Sequence, residues 1–138
     1  MYEYNCKVEK IVDGDTIDVV LDLGFDILYK SRVRLYGIDT PESRTRNLDE
    51  KVRGKMASAF LKKAIEEGEK VCIQTKLKDS RGKFGRVLGD VVVDGVNINQ
   101  SMVDNHHAVK YFGQSKDDIE EEHLKNRQIL IDNGILEL

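Results

Sequence analysis

The sequence predicts an α+β fold that is mainly β: a small barrel of five strands with three α-helices, forming one domain over residues 1–138. Three observations carry this. Apolar residues alternate at a two-residue period in several separate segments, Asp-Gly and Gly-containing turns divide them, and the period changes to a helical one in three others. At 138 residues with 40% apolar content, the chain is long enough for one core and too short for two. It is also too apolar for a disordered chain.

The elements follow in order. Tyr4, Cys6 and Val8, then Ile17, Val19 and Leu21, then Val33 and Leu35 alternate with polar neighbours, giving three strands with one buried face each. Asp13-Gly14 turns the first into the second and Leu23-Gly24-Phe25-Asp26 the second into the third, which makes a meander. From Asn47 to Glu67 the spacing becomes helical, through Met56, Phe60 and Ala64 and through Met56, Ala59 and Lys63, with Gly68 as the stop. Val71 to Thr75 and Val87 to Val93 supply two more strands around the charged loop Lys76 to Arg86, and Asp94-Gly95 makes another turn. Asn97 or Asn99 caps a short helix that buries Ile98, Met102 and Val103. Ser115-Lys116-Asp117-Asp118 opens the last helix, on which Leu124, Gln128 and Ile131 repeat before Asn133-Gly134 ends it. Five antiparallel strands with one inserted helix and helices at the end match the partly open Greek-key barrel called the OB-fold.

Composition excludes several classes. No apolar run approaches the ~18 residues of a spanning helix, so no membrane partner is expected. Met1 to Lys10 carries four charges and no continuous apolar stretch, which predicts an intracellular chain. Cys6 and Cys72 stand far apart without paired metal-site spacing and read as reduced core thiols. The net charge of −3 is unfavourable for a polyanion binder, yet it hides a pattern. Residues 1–29 hold 2 basic against 7 acidic residues, residues 30–86 hold 16 against 8, and residues 87–138 hold 4 against 10. A basic middle between acidic ends can present a cationic face to a nucleic acid, because the local field steers encounter more than the sum does.

Two acidic clusters stand at strand ends: Asp13-Gly14-Asp15-Thr16 and Ile38-Asp39-Thr40-Pro41-Glu42. Each alone is explained by turn chemistry, since Asp-Gly favours turns and Pro41 keeps Thr40 out of the helical region. An EF-hand is excluded, because Gly14 takes the second loop position, Asp18 the sixth and Gly24 the twelfth. Two arginines change the balance. Arg34 lies on the strand leading to Asp39 and Glu42, where it could also serve as an interior structural partner of either. Arg86 ends Arg81-Gly82-Lys83-Phe84-Gly85-Arg86, a loop whose glycines let backbone approach a ligand. His106-His107 reads as a surface or turn pair, since adjacent residues on a helix point about 100° apart.

Taken together, Val12 to Thr16, Val33-Arg34-Leu35, Ile38 to Glu42, Ala57 to Phe60, Lys83 to Arg86 and Asp94 to Asn99 resemble the staphylococcal nuclease family in order and spacing. The resemblance implies an OB-fold phosphodiesterase that uses calcium, cuts DNA and RNA with little sequence preference and leaves 3′-phosphate ends. It implies that Asp15 and Asp39 ligate calcium through carboxylates and Thr40 through its carbonyl, with Asp13 orienting water beside the ion. Glu42 then activates or positions the attacking water, while Arg34 and Arg86 stabilise charge on phosphorus. Lys83, Phe84 and Tyr111 bind substrate, with Phe112 an alternative to Tyr111 as a stacking ring, and Arg44 to Arg53 corresponds to a mobile loop. Phe84 replaces a frequent family tyrosine, which removes a hydroxyl and keeps a ring. A monomer of viral or mobile-element origin is the accompanying expectation. The competing reading is an inactive OB module that binds single strands or a protein; against it, a water-positioning carboxylate beside a phosphate site weakens polyanion binding.

Overall fold

The computed structural model describes residues 2–76 and 86–137. In chain order its elements are β1 (Glu3–Asp13), β2 (Thr16–Asp22), β3 (Leu28–Leu35), β4 (Ile38–Asp39), α1 (Leu48–Glu67), β5 (Val71–Thr75), β6 (Val87–Val93), β7 (Val96–Asn97), α2 (Ile98–Asp104), β8 (Val109–Lys110) and α3 (Lys116–Asp132). Neighbours run β3-β2-β1-β5-β6 and each of these pairs is antiparallel. Pairing of Val33 with Val87, Arg34 with Leu88 and Leu35 with Gly89 then closes a five-stranded barrel. The alternation predicts antiparallel strands throughout, whereas this closing pair is parallel. An odd ring cannot alternate direction at every step, so one pair must run parallel.

The predicted inward faces form the core. Ile17, Val19, Leu21, Val33 and Leu35 are buried with Ile73 and Val91 of β5 and β6, while Tyr4, Cys6 and Val8 are half-buried against them. Leu61 and Ala57 of α1 and Met102 of α2 cap this cluster. Three two-residue strands escape the sequence pattern because alternation needs more residues than they contain. Among them, β4 pairs with β8 through Ile38 with Lys110 and Asp39 with Val109, which holds the second acidic cluster against the chain leading to α3.

α2 buries Ile98 and Met102 with Val103 packed against the core, as predicted, and Met56, Phe60 and Ala64 of α1 are half-buried, but the most buried faces of α1 and α3 differ from those predicted. Asn47 caps α1 by accepting from the Glu50 N–H at 3.1 Å. The buried stripe is Arg53, Gly54, Ala57 and Leu61, while Ala59 and Lys63 are exposed. On α3 the buried residues are Ile119, His123 and Leu130, and Leu124 and Gln128 face outward. In both cases the helix packs partly on polar backbone and charged groups, so an apolar stripe misplaces its face. One junction shows this: Asp49 accepts from Arg53 at 2.8 Å and from Arg127 at 2.9 Å, tying α1 to α3. Burial raises the Asp49 carboxyl, but the hydrogen bonds from Arg127 and Arg53 outweigh it and hold the group below the usual carboxylate range.

Cys6 and Cys72 are free thiols. Burial, with Cys72 nearby, pushes the Cys6 thiol up to about 12. Alkylation needs the thiolate, so Cys6 is expected to resist iodoacetamide at pH 8 in the native protein and to react in urea, as read by mass spectrometry. Asn99 is a second testable point. Its Oδ1 accepts from the Val91 N–H at 3.0 Å, and its Nδ2 donates to Tyr36 O at 3.0 Å and to Asp90 Oδ1 at 2.9 Å. Asn99→Ala strands these buried groups and is expected to cost about 1–3 kcal/mol in urea unfolding.

Candidate functional site

Strand pairing brings the two acidic clusters together. Thr16 pairs with Arg34 across β2 and β3, so Asp15, one residue earlier, lies at the rim where β3 ends and β4 begins. The Thr40 N–H donates to Asp15 Oδ2 at 3.2 Å, and the Thr16 hydroxyl donates to Asp15 Oδ1 at 3.0 Å. Thr40 is itself buried, so its backbone is fixed beside this carboxylate. Asp13 accepts from the Ser43 hydroxyl, which fastens the first cluster to the residue after Glu42.

Arg34 stands between the carboxylates. Its Nη2 lies 3.4 Å from Asp15 Oδ2 and 3.6 Å from Asp39 Oδ1, and its Nη1 donates to Leu35 O at 3.0 Å. Hydrogen bonds to oxygen run ~2.7–3.2 Å, so both ion pairs are loose and neither carboxylate occupies the guanidinium fork bidentately. Arg34 also lines a cleft of about 430 Å³ with Arg86, Leu88, Tyr36, Tyr111 and Phe112. Both predicted guanidinium residues therefore border one cavity beside the acidic rim. Tyr111 and Phe112 line it together, and Phe112 sets its ring edge-on to Tyr36 with centroids 6.0 Å apart. Lys83 and Phe84 lie outside the described residues.

Glu42 is exposed, and its backbone is held firmly. The Glu42 N–H donates to Glu50 Oε2 at 3.1 Å. A Cβ built on Gly54 would lie 2.6 Å from Ser43 N and against the Glu42 carbonyl, and one built on Gly14 would lie 2.8 Å from Ala57 Cβ and 3.1 Å from Thr40 Cγ2. Glycine at these two positions lets α1 press directly on both acidic segments. The resemblance implies a mobile stretch from Arg44 to Arg53, but α1 has already begun at Leu48, which leaves only the residues before it outside the helix. Partial desolvation, then the carboxylates of Asp13, Asp15, Asp39 and Glu50, push Glu42 above the ordinary glutamate range.

Two participants were not predicted. His123, 6% exposed, places Nε2 2.8 Å from Asp39 Oδ2. The spacing of Ile119, His123 and Leu130 at i, i+4 and i+11 could have marked that helix face. Glu50 sits three residues after the cap Asn47, the capping-box position, but its carboxylate accepts from Glu42 while the Asn47 N–H turns to Thr45 Oγ1 at 3.2 Å. His106-His107 lies in a turn, one of the two alternatives the sequence leaves open, but neither histidine is fully exposed. His107 is half-buried with its ring 4.9 Å from that of Phe60, and burial followed by the neighbouring His106 pushes its imidazole down.

Among the described residues, no three His, Cys, Asp or Glu side chains converge as a ready metal cage. The acidic rim offers the carboxylates of Asp15 and Asp39, hard oxygen donors that suit a hard cation sharing its shell with water and substrate oxygens. No helix of the described residues is long and apolar enough to cross a membrane.

Comparison with known proteins adds sequence evidence. The family described as staphylococcal nuclease homologue matches residues 32–130, a span that contains Arg34, Asp39, Thr40, Glu42 and Arg86 and leaves Asp13 and Asp15 before it. The chain is 34% identical over 116 residues to Endonuclease YhcR of Bacillus subtilis, covering 80% of this chain and 9% of that protein. It is 31% identical over 136 residues to the SPbeta prophage-derived endonuclease YokF of Bacillus subtilis, covering 92% of this chain and 44% of that one. With the Thermonuclease of Staphylococcus intermedius it shares 38% identity over 84 residues, 61% of this chain and 46% of the other. The chain thus spans less than half the length of each of these relatives.

The packing at Gly54 generates a direct test. Alanine in place of a helix-interior glycine normally gains about 1 kcal/mol, but here the added methyl meets the backbone of Glu42 and Ser43. Gly54→Ala is therefore expected to lower stability by about 1–3 kcal/mol in urea unfolding; a stabilised variant would show that α1 is not pressed against this segment.

Proposed function

Because the chain belongs to the staphylococcal nuclease homologue family, we propose that it is a nuclease, a phosphodiesterase domain that hydrolyses DNA and RNA with little sequence preference. The family uses metal ions, and our reading is that calcium serves here, held by Asp15, Asp39 and the Thr40 carbonyl. Bound there, it would supply charge neutralisation for a substrate phosphate oxygen. The observation that carries the proposal is Arg34, whose guanidinium faces both Asp15 and Asp39 while lining the same cleft as Arg86.

The chain's own residues supply the rest. Glu42 takes a proton from the attacking water or holds that water in line. Asp13 orients water nearby. Water oxygen bonds to phosphorus as the bond from phosphorus to the 5′-oxygen breaks and that oxygen takes up a proton from solvent, which leaves a 3′-phosphate and a 5′-hydroxyl. Arg34 and Arg86 stabilise the charge that builds on the phosphoryl oxygens. Tyr111 and Phe112 offer rings for base stacking in the cleft, and Lys83 and Phe84 complete substrate binding. A relative named as prophage-derived supports a viral or mobile-element origin.

Single-stranded DNA and RNA should be degraded with calcium and spared with chelator, as followed on denaturing gels, and Glu42→Gln should abolish cleavage. Arg34→Lys and Arg86→Lys should each lower turnover by about a hundredfold or more. Lysine lacks the planar fork, and removing a transition-state donor costs ~2.7–4 kcal/mol. Tight binding of an oligonucleotide without cleavage would favour a binding module instead.

A further inference from the structure

The most constrained contact at the acidic rim comes from the far end of the chain. His123 is buried on α3 between Ile119 and Leu130, and its Nε2 lies 2.8 Å from Asp39 Oδ2. A carboxylate only accepts, so the imidazole donates Nε2–H. The helix that carries the ring is held in place by its neighbours. Asn126 Nδ2 donates to Ala108 O at 3.0 Å, just before β8, and β8 pairs with β4 through Val109 and Asp39. Arg127 anchors the next position of α3 to Asp49. The donor and its acceptor are thus fixed to one another through α3, β8 and β4 as well as directly.

We propose that His123 is a positioning residue for the cation ligand Asp39. This rests on the reading of Asp15, Asp39 and Thr40 as a cation site and deepens it. Asp39 sits on a strand of two residues, and its carboxylate feels the loose pull of Arg34 on Oδ1 at 3.6 Å. With Oδ2 held by His123, the carboxylate cannot swing to give Arg34 both oxygens. Its Oδ1 stays on the side shared with Asp15, where a cation can use it. Groups that hydrogen-bond a ligating side chain in this way typically tune metal affinity by ~10–100-fold.

The test is calorimetric titration of the full chain with calcium in the absence of nucleic acid, with melting temperatures in chelator as the stability control. His123→Leu is expected to raise the calcium Kd by about tenfold or more. His123→Gln, which keeps an N–H donor, is expected to recover most of that loss. A lower melting temperature with an unchanged calcium Kd would reduce His123 to a docking contact and overturn the proposal while leaving the cation site standing. A wild-type chain that binds no calcium would overturn the cation site and the proposal with it. If His123→Leu does not fold, the imidazole 15N–1H resonances of the wild-type protein decide. The His123 Nε2–H signal is expected to shift on calcium addition, and an unmoved signal in a chain that binds calcium overturns the proposal.

Discussion

Repulsion among carboxylates is the constraint around which this molecule is organised. Beyond partial desolvation, Asp13, Asp15, Asp39 and Glu50 all raise the energy of an ionised Glu42, and such a cluster disperses unless the backbone that carries it is fixed. The fixing is done by neutral donors and by shape. Ser43 donates to Asp13, Thr16 and Thr40 donate to Asp15, and the Glu42 N–H donates to Glu50. None of these contacts neutralises a charge. Arg34 is the guanidinium that faces two of the carboxylates, at distances too long to satisfy either fully. The rim therefore keeps a surplus of negative charge that favours a cation, together with a guanidinium ready to turn toward an anion.

Shape contributes as much as charge. Gly14 and Gly54 remove the two methyl groups that would keep α1 away from the acidic segments, and Ala57 fills the remaining gap. A helix placed this closely cannot bury a purely apolar stripe, because it faces carbonyl and amide groups as well as the barrel. This explains why Arg53 is among its buried residues, bound to Asp49. The stability of α1 and the geometry of the rim are thus consequences of the same packing.

The barrel was legible because each long strand repeats its pattern several times. Ile17, Val19 and Leu21 or Val33 and Leu35 leave little choice about which face is inside. Asp15, Arg34, Asp39 and Thr40 were legible as a group because they fall at strand ends that a closed barrel must bring together, and the structure does so. What escaped has physical causes. Strands of two residues carry no period, so the β4 to β8 pairing left no trace in the sequence. Helix faces that bury histidine or arginine break the apolar rule on which the prediction relied. Glu50 sits three residues after the cap Asn47, yet its carboxylate accepts from the Glu42 N–H instead of turning back to the cap, a contact that local sequence does not mark.

The distribution of these contacts along the chain has a consequence for how the rim keeps its form. Asp13 and Asp15 come from the first turn, Arg34 to Glu42 from the end of the meander, Glu50 and Gly54 from α1, and His123 from α3. No local segment carries enough of the site to shape it alone. Asp49 binds both Arg53 and Arg127 and so ties α1 to α3, while Glu50 of α1 accepts from the Glu42 N–H and His123 of α3 binds Asp39, so the two joined helices each hold one part of the acidic rim. Groups fixed by long-range contacts open only when those contacts open together. The geometry at the rim is accordingly coupled to the cooperative stability of the fold, and a preorganised arrangement of repelling charges is possible here because the whole barrel and both flanking helices oppose its relaxation.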